Sequence, residues 1–534
     1  MPDYTPQSWV TGSKFEADQA TEMSHQLDEE EEINVTQAAA IAALQGQVGS
    51  GPQRSVAAPT GLATTDTAAI MAAHNLLPPD GGTLWLREGE YALSATPPVF
   101  TKQEALLGQG CARPDNRAPT ALIANSATAT GITCNVEGCY LDGFALLNNF
   151  VGTVTSGVGI RMQKGHQAAL GPRLRVWNFF DNIVFESGNY WAAMLAHNYS
   201  PWRYGLVIRN SDHADSGDNV IGGWFDMPGV TRNAAAAIRW ETSGGFRFTG
   251  KINAVGSNKF GIGIDFAFNG STFDTADLFI TPGSSIENCL NTAVKLSRTS
   301  GSHIVVLAQI LGLEIMNTPI GIQVGPGFED VLIDHITAFG LTTGVDILNG
   351  ATKVTVGNNN RWRAVTEPVH IAAGATEVRL KQQERSTPVA GIVFTDATAT
   401  GVGGTTNVDY DYARNLDFGV TATPKEIFKC TVDNFTSGTI TVEAAGVHIG
   451  TSGFTTARVV RWLVDATGGV TITDKIAEDY SGSIGAGRPR ITFVTAANSI
   501  SVRIATADGA GVASAIAYFS AKGHLGQLQI GSGT

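Results

Sequence analysis

Between residues 120 and 380 the chain repeats one short pattern of apolar and polar positions about ten times. Each copy is a small or polar residue followed by an apolar–X–apolar step. The first apolar residues of the steps are Ile132, Ile160, Ile183, Leu206, Ile238, Ile264, Val294, Ile322, Val345 and Val369, spaced by subtraction 23 to 32 residues apart. Recurrence at about 20–30 residues marks a repeat architecture, in which each copy buries its apolar side against its neighbours. Two positions beyond the last nine anchors stand Met162, Phe185, Ile208, Trp240, Phe266, Leu296, Val324, Ile347 and Ile371, all apolar. The residues between are mostly polar: Arg161, Val184, Val207, Arg239, Asp265, Lys295, Gln323, Asp346 and His370. In–out–in alternation is the period of a strand, not of a helix. No amphipathic helix of about 10–15 residues separates the copies, as βαβ units require. The pattern predicts an all-β chain built on a right-handed parallel β-helix over residues 121–385, with strands stacked about 4.7–4.9 Å apart. A β-sandwich has similar strand spacing, but it has hairpin turns and no need to hold one register through ten copies.

The pattern changes on both sides of the coil. Residues 1–50 read as a partly helical N-terminal arm. Heptad positions placed on Leu27 are only partly apolar, so the arm is a weak coiled coil or a frayed acidic helix. Residues 51–120 hold a linker rich in Gly and Pro and then a terminal cap. Within the cap, Asp66–Ala73 is helical, with Thr65 or Asp66 as its N-cap. The turn Pro78-Pro79-Asp80-Gly81-Gly82 follows, then the strand Thr83–Leu86 and the segment Gly89-Glu90-Tyr91. Residues 386–423 are a transition segment, with a Gly/Thr/Ala loop at 395–406 and a polar cluster, Asp409–Tyr412 with Asp417, read as a solvated turn. Residues 424–534 form a C-terminal antiparallel β-sandwich. Its strands are expected at 427–432, 439–442, 459–464, 470–473, 491–494, 500–504 and 515–519. Residues 527–534 read as a loose tail.

Charge and cysteine usage narrow the function. Of the formal net charge of −13, −8 lies in residues 1–50, where nine acids face Lys14, leaving −5 for the rest. An acidic chain without a basic stripe is a poor partner for nucleic acid. No apolar run reaches the about 18 residues of a membrane span, and no charged segment precedes an apolar one as in a signal peptide. The five cysteines are not spaced as a zinc site, and they read as buried free thiols. No phosphate loop or nucleophile elbow is present. Neither a metal nor any other cofactor is expected.

The segment Asp66-Thr67-Ala68-Ala69-Ile70-Met71-Ala72-Ala73, then Gly81-Gly82-Thr83-Leu84, then Gly89-Glu90-Tyr91, resembles the N-terminal cap of pectate-lyase-superfamily β-helices. With the acidic arm before it and a Thr/Val/Gly-rich β domain at the end, the chain resembles a bacteriophage tailspike or minor tail protein. That resemblance implies a homotrimer on the virion, held to a phage tail or baseplate protein by the N-terminal arm. It implies a host cell-surface polysaccharide as the partner, bound and hydrolysed. The C-terminal sandwich would then lock the trimer or bind the receptor. A non-catalytic receptor-binding fibre and a polysaccharide lyase are the alternatives. The clustered Arg and Asp of lyases are not evident.

Candidate chemistry follows from laying the repeat out as a grid. One column beyond the inward pair reads Gln163, Glu186, Arg209, Glu241. Glu186 and Glu241 are two turns apart, so their backbones are about 9–10 Å apart. Inverting glycosidases need carboxyls about 6.5–9.5 Å apart, one protonated and one ionised. Against this pair, Arg209 between them and Arg239 beside Glu241 would hold both ionised. Asp215 and Asp226 lie in the longest interval between anchors and complete the catalytic candidates. Tyr190, Trp191, Trp202 and Trp224, placed in loops or turns, are expected to stack on sugar rings, with Arg209 beside them. Trp240, on the inward column, is expected in the core.

Overall fold

The computed structural model describes residues 52–110, 119–186, 192–209, 219–228, 232–241, 245–254, 258–270, 274–357, 359–372, 374–375, 377–380, 384–385, 408–417, 425–432, 437–448, 453–464, 467, 469–482, 489–497, 499–506, 512–523 and 525–530. The arm at 1–50 and the loop at 395–406 lie outside them.

Parallel strands coil into a solenoid with three faces. One face is an eleven-stranded sheet and another a twelve-stranded sheet. The third joins further strands at the C-terminal end to make an 18-stranded sheet. All ten anchors stand in register in the eleven-stranded sheet, from Ile132 opposite Ile160 to Val345 opposite Val369. They and the residues two positions on are buried, Trp240 among them. Each large apolar side chain so buried contributes about 1.5–3 kcal/mol.

The small residue before each anchor has a packing cause. A Cβ on Gly263 would stand 2.5 Å from the Ala293 carbonyl oxygen and 2.7 Å from Ile286. Where Asn182 takes this place, its side chain turns inward. It accepts from the Phe179 N–H and donates to the Val176 and Tyr199 carbonyls.

The corner from the twelve-stranded to the eleven-stranded sheet is one left-handed residue. Asn178, Asn288 and Asn317 take it with φ of 65°, 59° and 51°. Asparagine tolerates this region better than other side chains carrying a Cβ. These corners set how the two faces meet, and so how side chains on one face approach those on the other.

At the N-terminal end the helix Ala63–Asn75 closes the core with Ile70 and Ala73. Its start differs from the expected one. Leu62 is the N-cap residue and makes no side-chain cap bond. Asp66 instead accepts from Thr60 and Gly61 before the helix and from the Ala92 N–H of the first turn of the coil. These bonds outweigh its burial and hold its carboxyl below the usual range. His74 and Glu104 form a second, fully buried tie, Nδ1 to Oε2 at 2.9 Å. Burial lowers the imidazole and raises the carboxyl to about 8, so the bond joins two neutral groups.

At the other end, two antiparallel sheets follow the coil. The strands Lys425–Val432, Ser437–His448, Gly453–Val464, Val470–Gly482, Pro489–Ala496, Ser499–Thr506 and Val512–Gly523 contain all seven expected ones. Ile440, Val442, Val460 and Trp462 from one sheet and Ile491, Ile500 and Val502 from the other are buried. Two expectations are corrected. Asp409–Asp417 is not a turn but part of the strand Val408–Asp417, which pairs with Val378–Leu380 of the coil and with Val512–Gly523. The supposed tail holds a strand, Leu525–Ile530, paired with Lys425–Val432. Alternation in Leu525-Gly526-Gln527-Leu528 is broken by glycine, which hid it.

Cys134, Cys139 and Cys289 are free and buried, with the first two sulfurs 3.1 Å apart. Among the described residues no helix is long and apolar enough to cross a membrane.

Candidate functional site

Two outward faces carry chemistry, and the expected site residues divide between them. On the eleven-stranded face, Phe185, Ile208 and Trp240 are aligned, so Glu186, Arg209 and Glu241 follow one another up the coil. The expected ladder is present, and its acids are tied to cations. Glu186 Oε1 lies 3.5 Å from Arg161 Nε and 3.4 Å from Arg209 Nη2. Arg239 reaches Glu241 at 2.7 Å and Asp265 at 2.6 Å. Arg203 donates to Asp181 at 2.9 Å and stacks over Phe180 and Tyr204. Val184 and Val207, in the expected polar column, are buried on this outer surface with Val158 and Tyr204 against them. Asp265 is raised by its burial, against the pull of Arg239 and Lys295. Further along, Asp346 accepts from Gln323 at 2.9 Å and pairs with His370 at 2.6 Å. Burial raises Asp346, but these bonds outweigh it and hold it low, while burial raises neighbouring Glu367.

The twelve-stranded face is built differently. Strand register gives two outward columns. The first runs Arg175, His197, Trp224, Lys251, Ser285, Glu314, Thr337. The second runs Trp177, Tyr199, Asp226, Asn253, Glu287, Met316, Phe339. The lower end is aromatic. Trp177 and Tyr199 have centroids 5.1 Å apart, His197 stacks on Tyr199 at 6.3 Å, and Trp224 is 41% exposed. Trp224, expected in a loop or turn, is instead a strand residue on the same face as Trp177. Phe339, at the upper end, is 49% exposed.

Between the aromatic ends stand two acids. Glu287 and Glu314 lie on adjacent turns, two residues out of register, which puts their backbones about 8 Å apart on the same side. Among the described residues, neither forms an ion pair or a side-chain hydrogen bond. Burial and then the charge of Glu314 raise Glu287, with Lys251 opposing. Two neighbouring carboxyls, one of them raised by burial, can serve as an acid and a base.

Asp226 and Trp224 are on this face, away from Glu186, Arg209 and Glu241. Asp226 is buried and its Oδ1 accepts from the Met227 N–H at 2.7 Å. Trp202 occupies the corner between the faces, its indole N–H on Asn178 Oδ1 at 3.0 Å and Arg232 over its ring at 3.8 Å. Asp215, Tyr190 and Trp191 lie outside the described residues. Glu287 and Glu314 were missed because the repeat was followed through one strand per turn. The steps Ser285-Ile286-Glu287 and Glu314-Ile315-Met316 carry the same alternation, centred on a single inward residue. Among the described residues, no three His, Cys, Asp or Glu side chains cluster as a metal site.

No protein-family model and no curated protein matches the sequence. Solved structures do match. One is the tailspike protein gp49 of Acinetobacter baumannii bacteriophage Fri1, a capsular polysaccharide depolymerase. It is 11% identical over 90% of this chain and 88% of that one, with a TM-score of 0.28. Another is the tailspike of the Acinetobacter phage vB_ApiP_P1, 12% identical over 88% and 86%, with a TM-score of 0.32. A third is the tailspike of E. coli bacteriophage HK620 in complex with a pentasaccharide, 10% identical over 87% and 91%, with a TM-score of 0.45. The architecture of this chain is a parallel β-helix with antiparallel sheets after it.

Proposed function

We propose that this protein is a phage tailspike that binds a host surface polysaccharide along the twelve-stranded face and hydrolyses it there. The observation that carries the reading is the couple Glu287 and Glu314, without an ion pair among the described residues and set between exposed aromatic residues on one strip. The aromatic rings hold sugar faces. Glu287, whose carboxyl burial raises, donates its proton to the glycosidic oxygen. Glu314 takes a proton from the attacking water on the other side of the sugar. The chain works as a homotrimer, with residues 1–50 as its attachment to the tail or baseplate. This proposal moves the chemistry from Glu186 and Glu241, which are tied to arginines.

The test is incubation of the purified protein with surface polysaccharides from a panel of bacterial hosts. New reducing ends without unsaturated sugars, lost in Glu287→Gln and Glu314→Gln, are expected. Unsaturated products would make it a lyase and overturn the acid–base assignment. Binding without shortening would leave a receptor-binding fibre.

A further inference from the structure

Arg232 differs from the arginines of the eleven-stranded face beside it. Arg161, Arg203, Arg209 and Arg239 each have a carboxylate partner. Arg232 has none among the described residues. Its Nη2 donates to Asn178 Oδ1 at 2.7 Å and to the Ser200 carbonyl at 2.6 Å, both neutral acceptors. Its guanidinium plane lies on Trp202, 3.8 Å from the ring centroid. Its Nε is buried without a hydrogen bond. Burial without a counter-charge pulls it down to about 10. A half-buried cation fixed on three sides, with a donor unused and no counter-charge among the described residues, is a place for an anion.

The surroundings say which anion. Asn178 directly follows Trp177, and Ser200 directly follows Tyr199. The guanidinium is therefore tied to the edge of the aromatic platform on which sugar rings are placed above. Resting on that polysaccharide reading, we infer that the glycan is acidic and that Arg232 takes the carboxylate of one of its sugars beside Trp202. The stacked indole and the Asn178 and Ser200 bonds hold the guanidinium in place before the glycan arrives, so little side-chain freedom is lost on binding.

The test uses the full-length protein on an array of bacterial surface polysaccharides. Each acidic member is present twice, native and after chemical reduction of its carboxyls to alcohols. Binding to an acidic member that falls about tenfold or more on reduction is expected, the size of a charge-assisted hydrogen bond. Arg232→Gln should bind the native and reduced forms alike, and Arg232→Lys should keep part of the difference. Equal binding of both forms by the unaltered protein overturns the inference and leaves the polysaccharide reading standing. Full discrimination retained in Arg232→Gln overturns the assignment to Arg232. If Arg232→Gln does not fold, the reduced-carboxyl comparison and the lysine variant still decide. Binding to no member of the array overturns the polysaccharide reading itself, and this inference with it.

Discussion

The eleven-stranded and twelve-stranded faces are made from the same polar–apolar–polar step, yet they hold their charges in opposite ways. On the first, Glu186, Glu241 and Asp265 are each within reach of an arginine. Tyr204 packs against Val158, Val184 and Val207, and Arg203 and Arg239 lie over its ring. On the second, Glu287 and Glu314 have no such partner among the described residues, and Trp224 and Phe339 meet solvent. A ladder of ion pairs offers little to a ligand, because a sugar must displace contacts already made. An open strip with an unpaired acid couple offers bonds that only a ligand completes.

The largest expected effect separates the two faces directly. Glu287→Gln and Glu314→Gln should each lower cleavage by about 10²–10⁴-fold, the usual contribution of a general acid or base. Glu186→Gln and Glu241→Gln should stay near the unaltered rate, measured as reducing ends released. The reverse pattern would return the chemistry to the eleven-stranded face.

The next effect concerns pH, because both faces hold carboxyls raised by burial. On the open face, Glu287 must be protonated to act. The alkaline limb of the activity profile should lie above the ordinary glutamate range. On the paired face, the folded state holds the proton of Asp265 more tightly than the unfolded chain does. Its contribution to stability is present below the unfolded pKa and is lost as pH rises through the raised folded value. Melting temperatures taken across that window should lose this slope in Asp265→Asn, while the activity profile keeps its limb. A moved limb in Asp265→Asn would join Asp265 to the reaction.

Trp224→Ala should weaken polysaccharide binding by about 3–10-fold, from the loss of one stacking ring. Its melting temperature should hold, because Trp224 is half-exposed. An unchanged affinity would remove the aromatic strip from the binding surface. The smallest effect is expected for Arg209→Ala, whose ion pair with Glu186 is partly exposed and worth under about 1 kcal/mol. Its effect on unfolding should shrink further in high salt. A loss of several kcal/mol would show that the ladder holds the coil together.

Much of this architecture was legible in the residues because a parallel stack repeats its constraints. The anchors Ile132 to Val369 occupy equivalent places, so one missed turn would have displaced all later ones, and none was displaced. Alternation also located the seven C-terminal strands. The misplaced features were those set by partners far along the chain. Asp66 has the composition of an N-cap, but its bonds go to Thr60, Gly61 and Ala92. Asp409 and Asp411 look like turn residues, yet their strand pairs with residues 514–521, a match no local pattern reports.

The site shows the same division. Glu186, Arg209 and Glu241 were aligned from the repeat alone, since equal offsets from the anchors fix which residues share a column. Which column stays free for a ligand was not decided by offsets. That depended on Arg161 and Arg239 closing on the glutamates of one face. It also depended on the register that set Glu287 beside Glu314, and on the corner that brought Arg232 onto Trp202. By itself, the sequence determined the coil, its inward columns and its order of turns, because burial repeats with the chain. Only the tertiary structure decided which charges are matched and which are left over, because matching depends on side chains from different turns meeting in space.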